Sequence, residues 1–146
     1  MQHFFTLEEA RSCLPDVERA VRAAVQAKTY YDQSEEAFHR LLQRITMSGG
    51  ILVDRFAVET IKSTRQSNGE RMKSAVEEIQ EKGCLIKDLD TGLVDFPTLL
   101  RGEEVYLCWR LGETDISYWH GVHEGVAGRR PIDQSFVDNH QGSTPN

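Results

Sequence analysis

Five acidic and histidine side chains in the second half of the chain could form a metal or acid–base site. They are Asp95, Glu113, His120, His123 and Glu124. Histidine nitrogens and carboxylate oxygens are normal ligands of zinc, manganese or iron, and a catalytic metal needs three protein ligands and an open position. The H-x-x-H-E spacing is not the helical H-E-x-x-H of metalloproteases, so the pattern is weakly specific. If a divalent ion binds, we expect Asp95, Glu113, His120 and His123 to hold it; otherwise His120 forms hydrogen bonds within a sheet and His123 is solvated.

A second candidate is a group of arginines next to aromatic residues. Its members are Trp109, Arg110, Arg129 and Arg130. Guanidinium groups bind carboxylate or phosphate at two points and stack on aromatic rings, which would suit a small anionic ligand. The same arginines could instead pair with Asp95 and Glu113, because arginine–carboxylate pairs beside aromatic rings commonly hold a small fold together. We favour internal pairing and keep ligand binding as the alternative.

The tripeptide Asp90-Thr91-Gly92 matches the local motif of aspartic peptidases. Those enzymes need two aspartates that share a proton, and this chain has one copy, so a peptidase would have to be a dimer. A tight hairpin with glycine at a positive-φ position explains the same residues. A calcium loop is excluded because Leu99 stands where a bidentate glutamate is needed. We therefore predict a turn.

The charge distribution narrows the class of partner. The formal net charge is −6; residues 1–82 hold 12 basic and 13 acidic side chains, and residues 83–146 hold 5 basic and 10 acidic ones. Binding to nucleic acid requires a basic surface, so we predict no nucleic-acid partner. A metal ion, a cationic group or another protein is easier to accommodate.

Cysteine usage and hydropathy predict a cytoplasmic protein without a membrane span. Cys13, Cys84 and Cys108 are widely spaced and form no C-x-x-C pair, which favours buried free thiols. The apolar run from Val105 to Trp109 is far shorter than the ~20 residues that a membrane helix needs. The first ten residues contain no basic stretch followed by an apolar one, so no secretory signal is predicted.

The elements that must position these residues begin with a long amphipathic helix. The segment Thr6-Leu7-Glu8-Glu9 has the pattern of a capping box, which predicts a helical turn from Leu7. Pro15 fits the first turn of a helix better than its interior, so we expect the long helix to restart there after a bend. Heptad spacing of apolar residues continues from Leu14 to Ile45, and Ser48-Gly49-Gly50 should end the helix.

A second helix is predicted from Asp54 to Lys82, closed by Gly83. The line of apolar residues along this helix, its seam, starts at Ile51 and is interrupted by polar residues. Asn68-Gly69 could fray or kink the helix.

The two helices should fold back on each other as an antiparallel hairpin. If the chain reverses near Gly50, facing residues have numbers that sum to about 100. Glu35 and Arg65 satisfy this rule, so we predict that they pair across the polar part of the seam and fix its register.

After Gly83 the pattern changes to short strands. We predict a four-stranded antiparallel meander, with Glu104–Arg110 as its central strand; the four strands are Cys84–Asp88, Leu93–Phe96, Glu104–Arg110 and Ile116–His120. Residues 132–146 are polar and are predicted to be a mobile tail. The fold class is therefore α+β: one domain with a helical lobe at 1–82 and a sheet and loop at 83–131.

Several motifs, in this order, resemble the bacterial family known as domain of unknown function 2203. They are GLVDFP at 92–97, LCWRLGE at 107–113, YWH at 118–120 and GRRP at 128–131, after an N-terminal FTLEEA. The resemblance covers most of residues 4–132 and implies a small cytoplasmic bacterial protein. It carries no established activity. His123 lies where the resemblance does not require a histidine.

Two functions of different classes follow from the sequence. The first is a non-catalytic binding protein that self-associates, as a dimer, through the helical seam or an open sheet edge. The alternative is a metal-dependent hydrolase in which Asp95, Glu113 and His120 hold zinc, manganese or iron, and His123 or Glu124 moves a proton. The two differ in what they require of His120, which must be a ligand in one and needs only a hydrogen-bond partner in the other.

Overall fold

The chain forms an α+β fold in which a pair of long helices packs beside an antiparallel sheet. A computed structural model describes residues 2–50 and 54–143. Helix α1 spans Leu7–Met47 and helix α2 spans Arg55–Glu81. The predicted α+β class and the helix pair are confirmed, whereas the sheet has six strands rather than four.

Helix α1 is continuous through Pro15, so the predicted restart at this residue is wrong. The capping box at its start is confirmed, because the Glu9 amide donates to Thr6 Oγ1 at 3.0 Å and the Glu9 carboxylate accepts from the Thr6 amide. Proline removes only the helical bond to the Arg11 carbonyl. Pro15 and Arg11 are both exposed, so water can satisfy that carbonyl while the opposite side of the helix stays packed.

Helix α2 has the predicted bounds to within a residue at each end. Asp54 caps its start by accepting from the Ala57 amide at 3.0 Å, and Gly83 follows its end with φ of 96°. The helix is continuous through Asn68-Gly69, so it does not fray there. The buried Asn68 side chain donates to the Thr64 carbonyl one turn earlier, so its polar groups are satisfied inside the helix.

The register of the helical hairpin is confirmed by contacts along it. The Arg65 guanidinium donates to Glu35 Oε1 at 3.0 Å, as predicted, and also lies over the Phe38 ring. Further along, the ring of Tyr31 lies against Gly69, and these numbers also sum to 100. Ile51, assigned to the seam, lies outside the described residues.

The sheet contains the predicted meander and two additional short strands. Its strands are β1 Leu85–Asp88, β2 Leu93–Leu100, β3 Glu103–Arg110, β4 Tyr118–Gly121, β5 Arg130–Pro131 and β6 His140–Gln141. The first five are neighbours in chain order, β6 pairs with β2, and all pairs are antiparallel. Strands β5 and β6 have two residues each, which is too short to produce an alternating sequence pattern.

Residues 132–143 are folded onto the sheet, so the prediction of a tail without structure is wrong for this segment. Helix α3, Gln134–Asn139, begins at Asp133, whose carboxylate accepts from the Phe136 amide at 2.8 Å. Phe136 is buried between the rings of Trp119 and His140. Burial of the Phe136 side chain thus holds in place a segment whose composition is otherwise mostly polar. The end of the predicted tail, residues 144–146, lies outside the described part.

The outer edge of β2 is covered by three segments that are far apart in sequence. Strand β1 pairs with its first half, the Phe5 amide donates to the Pro97 carbonyl at 2.7 Å, and β6 pairs with Leu99 and Leu100. This arrangement explains a proline inside a long strand. The backbone groups of Pro97 point to this edge, so the missing N–H costs no bond to β3.

One hydrophobic core joins the first half of α1, the end of α2 and the inner face of the sheet. Its largest fully buried side chain is Trp109, on the central strand β3, whose indole N–H donates to the Glu113 carbonyl at 3.0 Å. The helical and sheet lobes therefore share a single core. Its members are Phe5, Leu7, Ala10, Leu14, Val17, Ala20, Val21, Ile79, Cys84, Val94, Phe96, Val105, Leu107, Trp109, Ile116 and Phe136.

Candidate functional site

The side chains of Asp95, Cys108 and His120 meet on the face of the sheet opposite the core. They belong to the adjacent strands β2, β3 and β4. Asp95 pairs directly with Cys108, and Tyr106, two residues before Cys108, pairs with His120. Side chains of residues that face each other, or that lie two apart on one strand, point to the same side of a sheet. Strand alternation and register thus bring the three together.

Asp95 and His120 form a buried hydrogen-bonded pair. His120 Nε2 lies 3.0 Å from Asp95 Oδ1, and the two side chains are 4% and 0% exposed. His120 Nδ1 lies 2.8 Å from the Gly121 carbonyl oxygen. A carbonyl can only accept, so Nδ1 carries a proton. The bond between Nε2 and Oδ1 then contains one further proton, shared by the carboxyl group and the imidazole.

The Asp95 carboxyl group is only partly satisfied by this bond. Its second oxygen, Oδ2, is buried and has no hydrogen-bond partner in the described part of the chain. Burial raises the pKa of Asp95 above its usual range, and the nearby His120 opposes that rise. Buried polar atoms in native proteins nearly always have a partner, so this oxygen needs an explanation.

Cys108 is a buried thiol within reach of both partners. Burial and the neighbouring Asp95 raise the pKa of Cys108 to about 11, while the guanidinium of Arg129 beside the sulfur acts in the opposite direction. The side chain is therefore a protonated thiol at neutral pH when it stands alone. Both ring nitrogens of His120 are already engaged, so the imidazole is not free to accept the proton of the thiol, and the cluster does not have the cysteine–histidine arrangement of a nucleophile.

Of the four predicted metal ligands, the structure brings together Asp95 and His120 only. Glu113 lies in the turn between β3 and β4, where it accepts two bonds from Arg129, at 3.1 and 2.9 Å, and a third from the Arg110 amide. His123 is exposed in the loop after β4. The proposed proton carrier, Glu124, binds Arg130 through both carboxylate oxygens. Glu113 and Glu124 are thus committed to arginines.

The predicted arginine and tryptophan group does not converge on one pocket. Trp109 lies in the core, and Arg110, next along the same strand, is exposed on the other face. The Arg129 guanidinium covers the Tyr118 ring at 4.0 Å, and the Arg130 guanidinium covers the Trp119 ring at 4.7 Å. Arg129 pairs with Glu113, as the favoured interpretation of internal pairing describes, whereas Arg130 pairs with Glu124 and Asp95 pairs with His120.

Asp90-Thr91-Gly92 forms the turn between β1 and β2. Asp88 accepts from the Asp90 amide at 2.9 Å and from the Thr91 hydroxyl at 3.1 Å. Gly92 has φ of 69°, and a Cβ atom there would lie 2.6 Å from Leu111 Cβ. Turn geometry and close packing explain the motif, with the Asp90 side chain exposed rather than facing a second aspartate.

Sequence analysis missed Cys108 as a member of the cluster, although a signal for it exists. Arg101 and Gly102 both have positive φ and form a two-residue turn between Leu100 and Glu103. A hairpin with this turn pairs residues whose numbers sum to 203, which places Cys108 opposite Asp95.

We expect the three thiols to differ in their rate of alkylation. Cys13 is partly exposed, whereas Cys84 and Cys108 are buried, and burial raises the pKa of Cys84 to about 12. In chelator-treated buffer, iodoacetamide should modify Cys13 at least about 100-fold faster than the other two, since a protected thiol reacts only after local opening. Peptide mass spectrometry gives the three rates. Modification of Cys108 as fast as Cys13 would contradict the buried site.

Fold and site together define a class: a small α+β protein whose polar centre is a closed Asp–Cys–His cluster on the back of an antiparallel sheet. The family whose sequence pattern matches this chain is the one that the sequence motifs resemble. Residues 3–132 match the family described as uncharacterized conserved protein DUF2203, and the chain belongs to that family. Comparison with curated proteins and with solved structures gives no match. Neither α1 nor any other helix in the described ranges combines the length and apolar character needed to cross a membrane.

Proposed function

We propose that this protein is a non-catalytic binding protein that self-associates through the free end of its helical hairpin. We call this end the arm and define it as residues 30–50 and 54–70. None of the described arm residues belongs to the core that the helices share with the sheet. At 1.5 Å per residue, the 18 arm residues of α1 extend ~27 Å.

The observation that supports this proposal is a group of apolar side chains exposed at the tip of the arm. Met47 is 87% exposed and Phe56 is 82% exposed, and Leu42, one turn and a half before Met47, is 44% exposed. Seam residues such as Phe38 and Ile61 are only half-buried. Large apolar side chains clustered on a surface commonly mark an interaction site.

A second copy of the chain is the partner that fits the arm best. A single pair of helices leaves part of the apolar surface along its seam exposed. Two such hairpins packed together form a four-helix bundle, which buries that surface. Residues 30–70 hold five basic and six acidic side chains, so two arms would not repel each other through net charge. A strongly acidic or basic partner would find no complementary surface there.

The size of the apolar group predicts a reversible dimer. Burying Met47 and Phe56 from two copies contributes roughly 6–12 kcal/mol. Lost translational and rotational freedom costs roughly 4–15 kcal/mol. The most favourable balance of these two ranges is about 8 kcal/mol, which corresponds to a dissociation constant of about 1 µM, so the dimer is reversible rather than obligate.

We expect Phe56→Glu to weaken the dimer by at least about 100-fold, because a two-fold interface contains the change twice and each copy loses ~2 kcal/mol of burial. Sedimentation velocity over a wide range of protein concentration measures the dissociation constant. The matched control is Val137→Glu, which places the same charge at a partly exposed apolar residue of α3, away from the arm. A wild-type protein that stays monomeric at high concentration, or a dimer that Phe56→Glu leaves intact, would contradict the proposal.

The hydrolase alternative has no comparable support. It requires Glu113 beside Asp95 and His120, and the structure pairs Glu113 with Arg129 instead. Of the two proton carriers suggested for it, His123 is exposed in a loop and Glu124 accepts from Arg130.

A further inference from the structure

We infer that Asp95, Cys108 and His120 bind a single zinc ion. This site lies on the sheet, away from the arm, and the inference is independent of the proposed self-association. Cys108 replaces Glu113 and His123 in the ligand set expected from the sequence.

The donor atoms already lie close to the positions that zinc requires. One ligand atom from each of the three residues lies within 4.8 Å of the other two, and His120 Nε2 and Asp95 Oδ1 are 3.0 Å apart. Tetrahedral zinc with bonds of about 2.0–2.3 Å places its ligand atoms about 3.3–3.6 Å from one another. Movements of about an ångström or less would therefore complete the coordination.

The orientation of His120 suits a metal ligand. Its Nδ1–H donates to the Gly121 carbonyl, which leaves Nε2 pointing at the other donors. Histidine ligands of metals almost always donate their second nitrogen to a carbonyl or carboxylate, because that bond fixes the ring and makes the ligating nitrogen more basic. Here the backbone of the next residue supplies this bond.

The unsatisfied oxygen of Asp95 and the net charge of the three ligands both favour Zn²⁺. Asp95 Oδ2 is fully buried without a hydrogen-bond partner, and a cation held by this carboxylate would compensate it. Zinc binding would displace two protons: the one shared between Asp95 and His120, and the one on the Cys108 thiol. The product is a carboxylate, a thiolate, a neutral imidazole and Zn²⁺, with no net charge.

The donor set selects zinc over the harder ions. Thiolate and imidazole are ligands of zinc, whereas magnesium and manganese prefer oxygen. All three side chains are buried, so a fourth ligand would have to be a water molecule or another small species. Three protein ligands and a water is also the ligand count of catalytic zinc sites, but the three donors are buried, so a substrate could not reach the ion, and we assign it a structural role.

The test is zinc binding by the full chain after treatment with a chelator. Structural zinc sites bind with about 10–16 kcal/mol, which corresponds to dissociation constants below about 0.1 µM. Titration against a chromophoric chelator should show one zinc per chain. Cobalt(II) should produce a thiolate-to-cobalt charge-transfer band in the near ultraviolet, which reports directly on the sulfur ligand.

Two ligand variants and one control distinguish the loss of the zinc site from a general effect on folding. Cys108→Ala should weaken zinc binding by on the order of 100-fold or more and remove the cobalt band. Cys84→Ala removes a different buried thiol and should leave both unchanged. Asp95→Asn nearly preserves the shape of the side chain and keeps a hydrogen-bonding partner for His120. This variant should therefore fold but bind zinc more weakly than the wild type. Circular dichroism checks the fold of each variant.

The wild-type protein alone can overturn the inference. A folded protein that takes up no zinc at a free concentration of about 1 µM, well above the expected dissociation constant, has no such site. Zinc that remains bound in both Cys108→Ala and Asp95→Asn would place the metal elsewhere in the chain.

Discussion

Trp109→Ala should lower the free energy of unfolding by about 3–5 kcal/mol, the usual cost of removing a large aromatic side chain from a core. Trp109 is fully buried on the central strand and its indole donates to the Glu113 carbonyl. The substitution leaves a large cavity between the sheet and α1 and removes that bond. A domain of this size is stable by only about 5–15 kcal/mol, so the variant should be close to unfolding. Urea denaturation followed by circular dichroism measures the change.

Two further variants show which part of the Trp109 side chain matters. Trp109→Phe keeps an aromatic ring but loses the indole donor, so it should cost less, about 1–3 kcal/mol. Arg110→Ala changes the next residue, which is exposed, and should cost less than about 0.5 kcal/mol. A loss below about 1 kcal/mol for Trp109→Ala would show that this strand does not lie at the centre of the core.

His120→Leu should destabilise the metal-free protein by about 3–5 kcal/mol, the usual cost of removing one partner of a buried ionic pair. The substitution leaves Asp95 without its only side-chain hydrogen bond among the described residues, at a position with no exposure. Denaturant unfolding in the presence of a chelator gives the value for the protein alone. The same measurement with added zinc would mix this effect with metal binding.

The loss in His120→Leu should depend on pH. Burial raises the pKa of Asp95, so the folded protein binds a proton at this carboxyl group more tightly than the unfolded chain does. In both proteins the protonated form contributes stability at low pH, and this contribution is lost as the pH rises through the folded-state pKa. His120 opposes the rise in the pKa of Asp95, so this pKa is higher in the variant and the variant loses more stability at high pH than the wild type does. The variant should be closer to wild type at about pH 5 than at about pH 8.

A double variant provides the control for the Asp95–His120 pair. Asp95→Leu has a similar shape to the carboxyl side chain and removes the charge, so the double variant Asp95→Leu, His120→Leu buries no unpaired polar group. It should be more stable than the sum of the two single losses predicts, by at least about 1 kcal/mol. Strict additivity would show that the two side chains do not interact in solution.

The parts of the fold that could be predicted from sequence depend on local patterns and short connections. Heptad spacing and a reversal near Gly50 sufficed to predict the contact between Glu35 and Arg65. Turn residues sufficed to predict the meander. Strand β6 could not be predicted, because two residues have no periodicity and their pairing with β2 spans about forty residues.

The candidate site, too, could be predicted only in part from the sequence. Residue type identified Asp95 and His120, and the structure places them in contact. Residue type also suggested Glu113 and His123, but the sequence does not show which way a side chain in a turn or loop points, or that Arg129 takes up Glu113. Cys108 was assigned to the buried thiols, and a buried thiol is compatible with both a core residue and a ligand.

The covered edge of β2 has a consequence for the behaviour of the protein in solution. Strands β2 and β3 have eight residues each, and a strand of that length with a free edge is a template on which another chain can add and begin an aggregate. Strand β1, Phe5 and β6 block that edge, and β3 lies between β2 and β4. In the described sheet, the outer positions belong to strands of four residues or fewer. Colloidal stability thus depends on Phe136, which packs between Trp119 and His140 and holds β6 in place.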